Sequence, residues 1–123
     1  MQQKAFRCGP IALTNAAANL LNPGTTTGGV NCTASPYGNL RLILTHIVIV
    51  NKTGSAATVT LYIGATGGSA AGTEFLYNGT TVPANSYVER YCRVPLDVAD
   101  FLTGLASANT TLTFEAEGEI GVA

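Results

Sequence analysis

The chain has 123 residues, the size of one domain, and a chain of that size buries roughly two-thirds of its unfolded surface without disulfides or metals. Hydrophobic residues make up 46% and Asp, Glu, Lys and Arg only 11%, less than half the roughly 25% of an ordinary soluble domain, so partners are expected to cover part of the surface. A formal net charge of -1 leaves no basic footprint for a phosphate backbone, which excludes nucleic acid as a partner.

Seventeen Thr and fourteen Gly, with no Trp and one Met, suit pleated strands joined by tight turns better than packed helices. Met1 to Arg7 lacks the apolar stretch of a signal peptide, and no run reaches the length of a membrane span, so assembly in a cytoplasm without membrane partners is expected. Ala5 to Asn22 opens as a short strand, passes Gly9-Pro10, and continues through Ile11-Ala12-Leu13-Thr14 into an Ala- and Asn-rich piece that reads as strand or helix. From Asn22 to Gly38 the breakers Asn-Pro-Gly, Thr-Thr-Thr-Gly-Gly and Ser-Pro-Tyr-Gly predict a long arm. Connections of that length tend to be functional, and this one is expected to dock on a neighbour through main-chain hydrogen bonds.

Leu40 to Val50 is rich in β-branched residues and predicts a central strand. Simple alternation puts Leu40, Leu42, Leu44, His46, Val48 and Val50 on one face and Arg41, Ile43, Thr45, Ile47 and Ile49 on the other. Both faces are mostly apolar from Ile43 onward, so a neighbouring subunit or the arm is expected over the outer one. Asn51-Lys52-Thr53-Gly54-Ser55 reads as a hairpin turn into Thr58-Val59-Thr60-Leu61-Tyr62-Ile63, with Val59, Leu61 and Ile63 facing the core. Gly64 to Gly72 is a crossing of small residues, and Tyr77-Asn78-Gly79-Thr80 reads as a second hairpin tip. Pro83 puts the next strand near an edge.

Ser86 to Leu96 alternates Val88, Cys92, Val94 and Leu96 against Tyr87, Glu89, Tyr91 and Arg93, with Arg90 as the odd polar residue on the apolar side. After a turn at Asp97 to Asp100 and a strand from Phe101 to Ser107, the last strand sets Leu112, Phe114, Ala116, Gly118 and Ile120 against Thr111, Thr113, Glu115, Glu117 and Glu119. About seven or eight strands with turn signals every 8 to 12 residues predict an all-β fold, a single antiparallel β-sandwich or jelly roll. Residues 1–39 supply its N-terminal strand and extended arm and residues 40–123 its body, as one domain overall.

Chemistry-bearing constellations are sparse. His46 is the sole histidine, has no second His or Cys at ligand spacing, and reads as a hydrogen-bonded core or interface residue. No Gly-x-Ser-x-Gly elbow or Cys-His signature is present, so neither a catalytic residue nor an enzyme is expected. Cys8, Cys32 and Cys92, odd in number and irregular in spacing, read as reduced core residues. Asp97 and Asp100 read as turn formers before calcium ligands, and Gly64 to Gly72 lacks the Gly-Lys-Thr or Gly-Lys-Ser ending of a phosphate loop. No metal or cofactor is expected. The Asn-x-Thr sequons at Asn31, Asn51, Asn78 and Asn109 read as chance in a Thr-rich chain. Glu115, Glu117 and Glu119 form an acidic ladder that is either solvated or faces something positive.

Leu42-Ile43-Leu44-Thr45-His46-Ile47-Val48-Ile49-Val50-Asn51-Lys52-Thr53-Gly54, Val59-Thr60-Leu61-Tyr62-Ile63-Gly64, Val82-Pro83-Ala84-Asn85-Ser86 and Asp100-Phe101-Leu102-Thr103-Gly104 together resemble small virion proteins of tailed bacteriophages. The resemblance spans about Leu40 to Val122 and implies a β-sandwich within the particle, such as a head decoration (cement) protein or a tail, neck or fibre subunit. It implies a virion location, with the major capsid protein or other virion proteins as partners in a homo-oligomer, a trimer being favoured. The expected contact residues are Thr25, Thr26, Thr27, Val30 and Tyr37 of the arm with Ile43, Ile47 and Ile49 of the central strand. A carbohydrate- or receptor-binding module, with Tyr37, Tyr62, Tyr77, Tyr87 or Tyr91 stacking on a sugar, is the alternative from another class.

Overall fold

Runs of Thr, Val, Ile and Leu between Gly, Pro and Asn breakers fold into eight strands: β1 (Gln3–Ala12), β2 (Ala18–Leu21), β3 (Leu40–Asn51), β4 (Ala57–Gly64), β5 (Thr80–Val82), β6 (Ser86–Leu96), β7 (Phe101–Ala106) and β8 (Leu112–Val122). The computed structural model describes residues 3–25, 27–28 and 40–122, with side chains for 5–25, 27–28 and 42–120. The Ala- and Asn-rich piece that reads as strand or helix becomes β2. Two antiparallel four-stranded sheets result, one in the order β1-β8-β3-β6 and the other β2-β7-β4-β5.

Those orders nest β4 with β5, β3 with β6, β2 with β7 and β1 with β8, which is one long hairpin rolled into two facing sheets. The architecture is therefore the jelly roll, the double Greek key built from eight strands. Among the described strands only the β4 to β5 connection stays within a sheet, so nearly every connection is a crossing between layers.

The core lies between the sheets. Leu42, Leu44, Ile47, Ile49, Leu96, Phe114 and Ala116 come from the first sheet and meet Leu20, Leu21, Val59, Leu61 and Leu102 from the second, all essentially without solvent exposure. Each large side chain so buried stabilises the fold by roughly 1.5–3 kcal/mol in transfer terms. Phe114 takes the centre of β8, and the small Ala116 and Gly118 follow it where β3 approaches closely.

Three expectations are corrected. First, β3 and β4 do not form a hairpin, since they belong to opposite sheets. The Asn51 side chain explains this: its amide donates to the carbonyls of Ser55 (2.9 Å) and Val82 (3.1 Å), while its oxygen accepts from the Thr53 backbone N–H (2.9 Å) and hydroxyl (2.7 Å). A buried Asn that satisfies four partners folds the chain as an Asx corner, not a two-residue reversal.

Second, Tyr77 to Thr80 is not a hairpin tip. Residues 73–77 bond to β4, with the Ile63 and Leu61 N–H groups donating to the carbonyls of Thr73 and Tyr77 and the Phe75 N–H donating to the Leu61 carbonyl, and β5 continues along that same edge against Ala57 to Val59. Asn78-Gly79 only kinks the strand, with Gly79 at φ 62° and its N–H donating to the Thr60 hydroxyl at 2.9 Å.

Third, the register of β3 against β8 shifts between Leu44 and His46, where two steps of β3 face one of β8, a β-bulge at Thr45. An extra residue reverses the alternation beyond it, so Ile47 and Ile49 turn inward and His46, Val48 and Val50 turn outward. The predicted contact residues Ile47 and Ile49 are thus core residues of the chain itself, and only Ile43 of the three stays on the outer face.

Candidate functional site

The outer face of the first sheet gathers most of the polar chemistry the chain possesses. Backbone register lays residues out in rows across it: Arg7, Glu117, His46 and Tyr91 in one, Glu115, Val48 and Glu89 in the next, and Thr113, Val50 and Tyr87 in the third. Ile43, Val48 and Val50, half-buried, make an apolar stripe along β3. The acidic ladder of β8 flanks it on one side, and Tyr87, Glu89, Tyr91 and Arg93 of β6 flank it on the other.

His46 joins the two flanks. Its Nδ1 lies 3.1 Å from Glu117 Oε1 and its Nε2 lies 2.9 Å from Glu89 Oε2, so the imidazolium form donates both protons to carboxylates on opposite neighbouring strands. The Tyr91 ring stacks on the imidazole with centroids 4.3 Å apart and planes 12° from parallel. The hydrogen bond to Glu117 raises the His46 pKa above its ordinary value, with Glu89 adding to it and partial burial opposing it. Glu115 is also raised, first by burial and then by the Glu117 charge, with His46 and Arg7 pulling the other way. The acidic ladder thus has its positive counterpart in His46 and Arg7.

This arrangement does not perform general-base chemistry at the imidazole, because both ring nitrogens are taken by carboxylates and neither is left to accept a proton from a nucleophile. Nor do the three groups converge: among the described residues no group of three His, Cys, Asp or Glu is placed to hold a metal ion. Asp97 and Asp100 close a turn, with the Asp97 N–H donating to Asp100 Oδ2 at 2.9 Å and the Asp100 N–H to the Asp97 carbonyl at 3.0 Å.

The cysteines behave as structural residues. The Cys8 thiol, buried between the sheets, donates to the Leu20 carbonyl, and burial pushes its pKa up to about 11, with Glu115 adding to the effect. Cys92 is free and half-buried, and burial raises it too. Cys32 lies outside the described residues. The sequon at Asn51 is buried in the corner described above.

Of the arm residues expected to make contacts, Thr26, Val30 and Tyr37 lie outside the described residues. Thr25 and Thr27 sit in a turn that folds back on the body: the Thr25 hydroxyl donates to Asn22 Oδ1 at 2.8 Å and lies 2.9 Å from the Thr27 hydroxyl. The buried Asn22 in turn donates to the carbonyls of Val98 (3.0 Å) and Asp100 (2.7 Å), so the start of the predicted arm is pinned to the sandwich.

Among the expected contact residues Tyr87 and Tyr91 figure only in the sugar-binding alternative, yet they are the most exposed large apolar side chains described, at 57% and 77%. Their alternation with Val88, Cys92 and Val94 was the available signal. Tyr77, by contrast, is buried, with the Arg90 guanidinium 5.9 Å from its ring centre. A shallow depression of about 430 Å³ lies at one end of the face, lined by Val50, Asn51, Lys52, Asn85, Ser86 and Tyr87.

No protein-family model and no curated protein matches the chain. A solved structure of the tobacco streak virus coat protein dimer is similar at a TM-score of 0.49 and 12% identity, covering 98% of this chain and 86% of that one. At that identity no residue's role transfers.

Proposed function

We propose that the chain is a virion structural protein, a decoration (cement) protein that attaches to the outer surface of a bacteriophage capsid shell and acts by burial of its own surface. The observation that carries this reading is the outer face of the first sheet, where Ile43, Val48 and Val50 run beside the exposed Tyr87 and Tyr91 on a molecule whose interior is already filled. Jelly rolls serve capsid proteins, lectins and cupins. The cupin use is disfavoured because the single histidine sits outside the roll and the space between the sheets holds Leu, Ile and Phe. An inner position against the genome is disfavoured by six Lys and Arg in all and by the carboxylate row of β8.

Apolar area covered on docking contributes roughly 25 cal/mol per Å², and repeated attachment of a homo-oligomer converts modest single contacts into durable binding. The partners in this reading are the major capsid protein and further copies of the chain, with assembly in the host cytoplasm. Sedimentation of purified protein with expanded shells of its own phage tests it. Saturable binding at hundreds of copies per particle by quantitative mass spectrometry is expected. A dozen copies or fewer per particle would place it in the tail or neck instead, and no binding to shells at all would end the decoration reading.

A carbohydrate-binding role has one observation in its favour, the exposed Tyr87 at the rim of the depression with Lys52 and Asn85. A glycan array without hits would remove it.

A further inference from the structure

We propose that β6 is a self-complementary edge through which two copies of the chain pair antiparallel, about a two-fold axis at Tyr91, into one continuous eight-stranded sheet. The inference rests on β6 itself and stands whether or not the virion reading does.

Among the described residues each sheet has two unpaired edges, and sheet proteins normally protect such edges by shortness, proline, lysine or bulges. Three of the four edges here are protected in this way. β1 carries Gly9-Pro10 with a register shift between Cys8 and Ile11, β2 has four residues and a shift of its own, and β5 has three residues followed by Pro83. β6 differs: it runs for 11 residues, has no lysine, carries its one proline, Pro95, next to its end, and keeps Tyr87, Glu89, Tyr91 and Arg93 exposed in alternation even though its register with β3 shifts between Val94 and Tyr91. It pairs with β3 along one side, and among the described residues no strand pairs with the other.

Its side chains fit a second copy of themselves. In an antiparallel pair, residues directly opposite share a face. With the axis at Tyr91, the Tyr91 rings of the two copies meet on the outer face, and Glu89 of each copy stands opposite Arg93 of the other, giving two opposite-charge pairs by symmetry. On the inner face Val88 stands opposite Val94 of the second copy. Tyr91 at 77% exposure has area to lose, Arg93 is exposed, and Glu89 binds His46 through Oε2, which leaves Oε1 for the partner's guanidinium. The His46 contact also holds Glu89 in place, so the edge presents a carboxylate already oriented. An isologous contact of this kind closes on itself and does not propagate into a fibre. The unit of association is then a dimer, in place of the trimer expected from the sequence.

The test is the self-association of the purified full chain by sedimentation velocity at roughly 100 µM, since an edge contact narrower than a standard interface of about 1,600 Å² is expected to be weak. The wild type is expected to dimerise. Arg93→Glu and Glu89→Arg should each weaken dimerisation by about tenfold or more, because each places like charges opposite one another twice. An equimolar mixture of the two variants should regain the dimer, since every pair across the axis is then opposite in sign. Circular dichroism of each variant checks that it is folded. A monomeric wild type, single variants that dimerise as well as wild type, or folded variants whose mixture stays monomeric would each overturn the proposal.

Discussion

His46 ties three strands together through one ring, and its ionisation is accordingly coupled to folding. Its pKa is raised in the folded chain above the usual value of about 6.5, so its protonated form is favoured by folding. That contribution is fully present below the unfolded pKa and is lost as pH rises through the folded one. Glu115, whose carboxyl is also raised, acts in the same direction at lower pH, losing stability as it ionises. The melting temperature should therefore fall between about pH 6 and pH 8, and His46→Gln should flatten that step. An unchanged slope in the variant would show that the ring does not couple to folding. The sequence showed a lone histidine in an apolar strand. It could not show that Glu89 and Glu117 flank it, because which strands lie beside β3 is decided by pairings 43 and 71 residues away.

Tyr77 presents the opposite case, a polar group buried without reward. Its ring packs into the core, and its hydroxyl, also buried, has no hydrogen-bond partner among the described residues. Burial accordingly raises its pKa, with Arg90 opposing. Tyr77→Phe removes the hydroxyl and keeps the packing, so stability should stay level or rise by up to about 1 kcal/mol. Tyr77→Ala should lose roughly 3–5 kcal/mol. Urea midpoints for the two variants separate the hydroxyl from the ring.

At the scale of elements, alternation identified the inward residues of β4, β6 and β8 correctly, because each has one polar and one apolar face. β3 defeated the same rule. Ile43 to Val50 is apolar on both sides, so the pattern carried no mark of the bulge at Thr45, and parity beyond it was assigned to the wrong face. Gly118 of β8, opposite Leu44, marks the same place from the other strand. A Cβ there would collide with the Ile43 carbonyl oxygen and come within 2.8 Å of the Phe6 ring. Backbone cannot yield as a flexible side chain does, so Gly118→Ala should cost about 1–3 kcal/mol as overpacking. Thermal unfolding of the variant measures it, and a wild-type melting temperature would mean that β3 has room to shift. The turn at Asn51 was legible as a turn but not as a corner, since the Val82 carbonyl it binds lies 31 residues away.

For the whole molecule, nesting makes the two sheets depend on one another. β1 pairs with β8, so Gln3 stands opposite Gly121 and the first sheet closes only when both ends of the chain have been brought together. Six of the connections pass from one sheet to the other, which leaves neither sheet a contiguous piece of chain able to fold alone. The number of strands and the sandwich class were readable from composition and turn spacing. The winding order was not, because it depends on which distant strands become neighbours. Its consequence is that a cavity cut into one layer should weaken both. Leu61→Ala on β4 should cost about 2–5 kcal/mol, and the unfolding transition should remain single. Hydrogen exchange read by mass spectrometry locates the effect: the amides of β3 and β8 in the opposite sheet should lose protection by the same factor as those of β4 and β7. If β3 and β8 kept wild-type protection while β4 and β7 loosened, the sheets would be separable units, and the rolled hairpin would describe the path of the chain without describing its cooperativity.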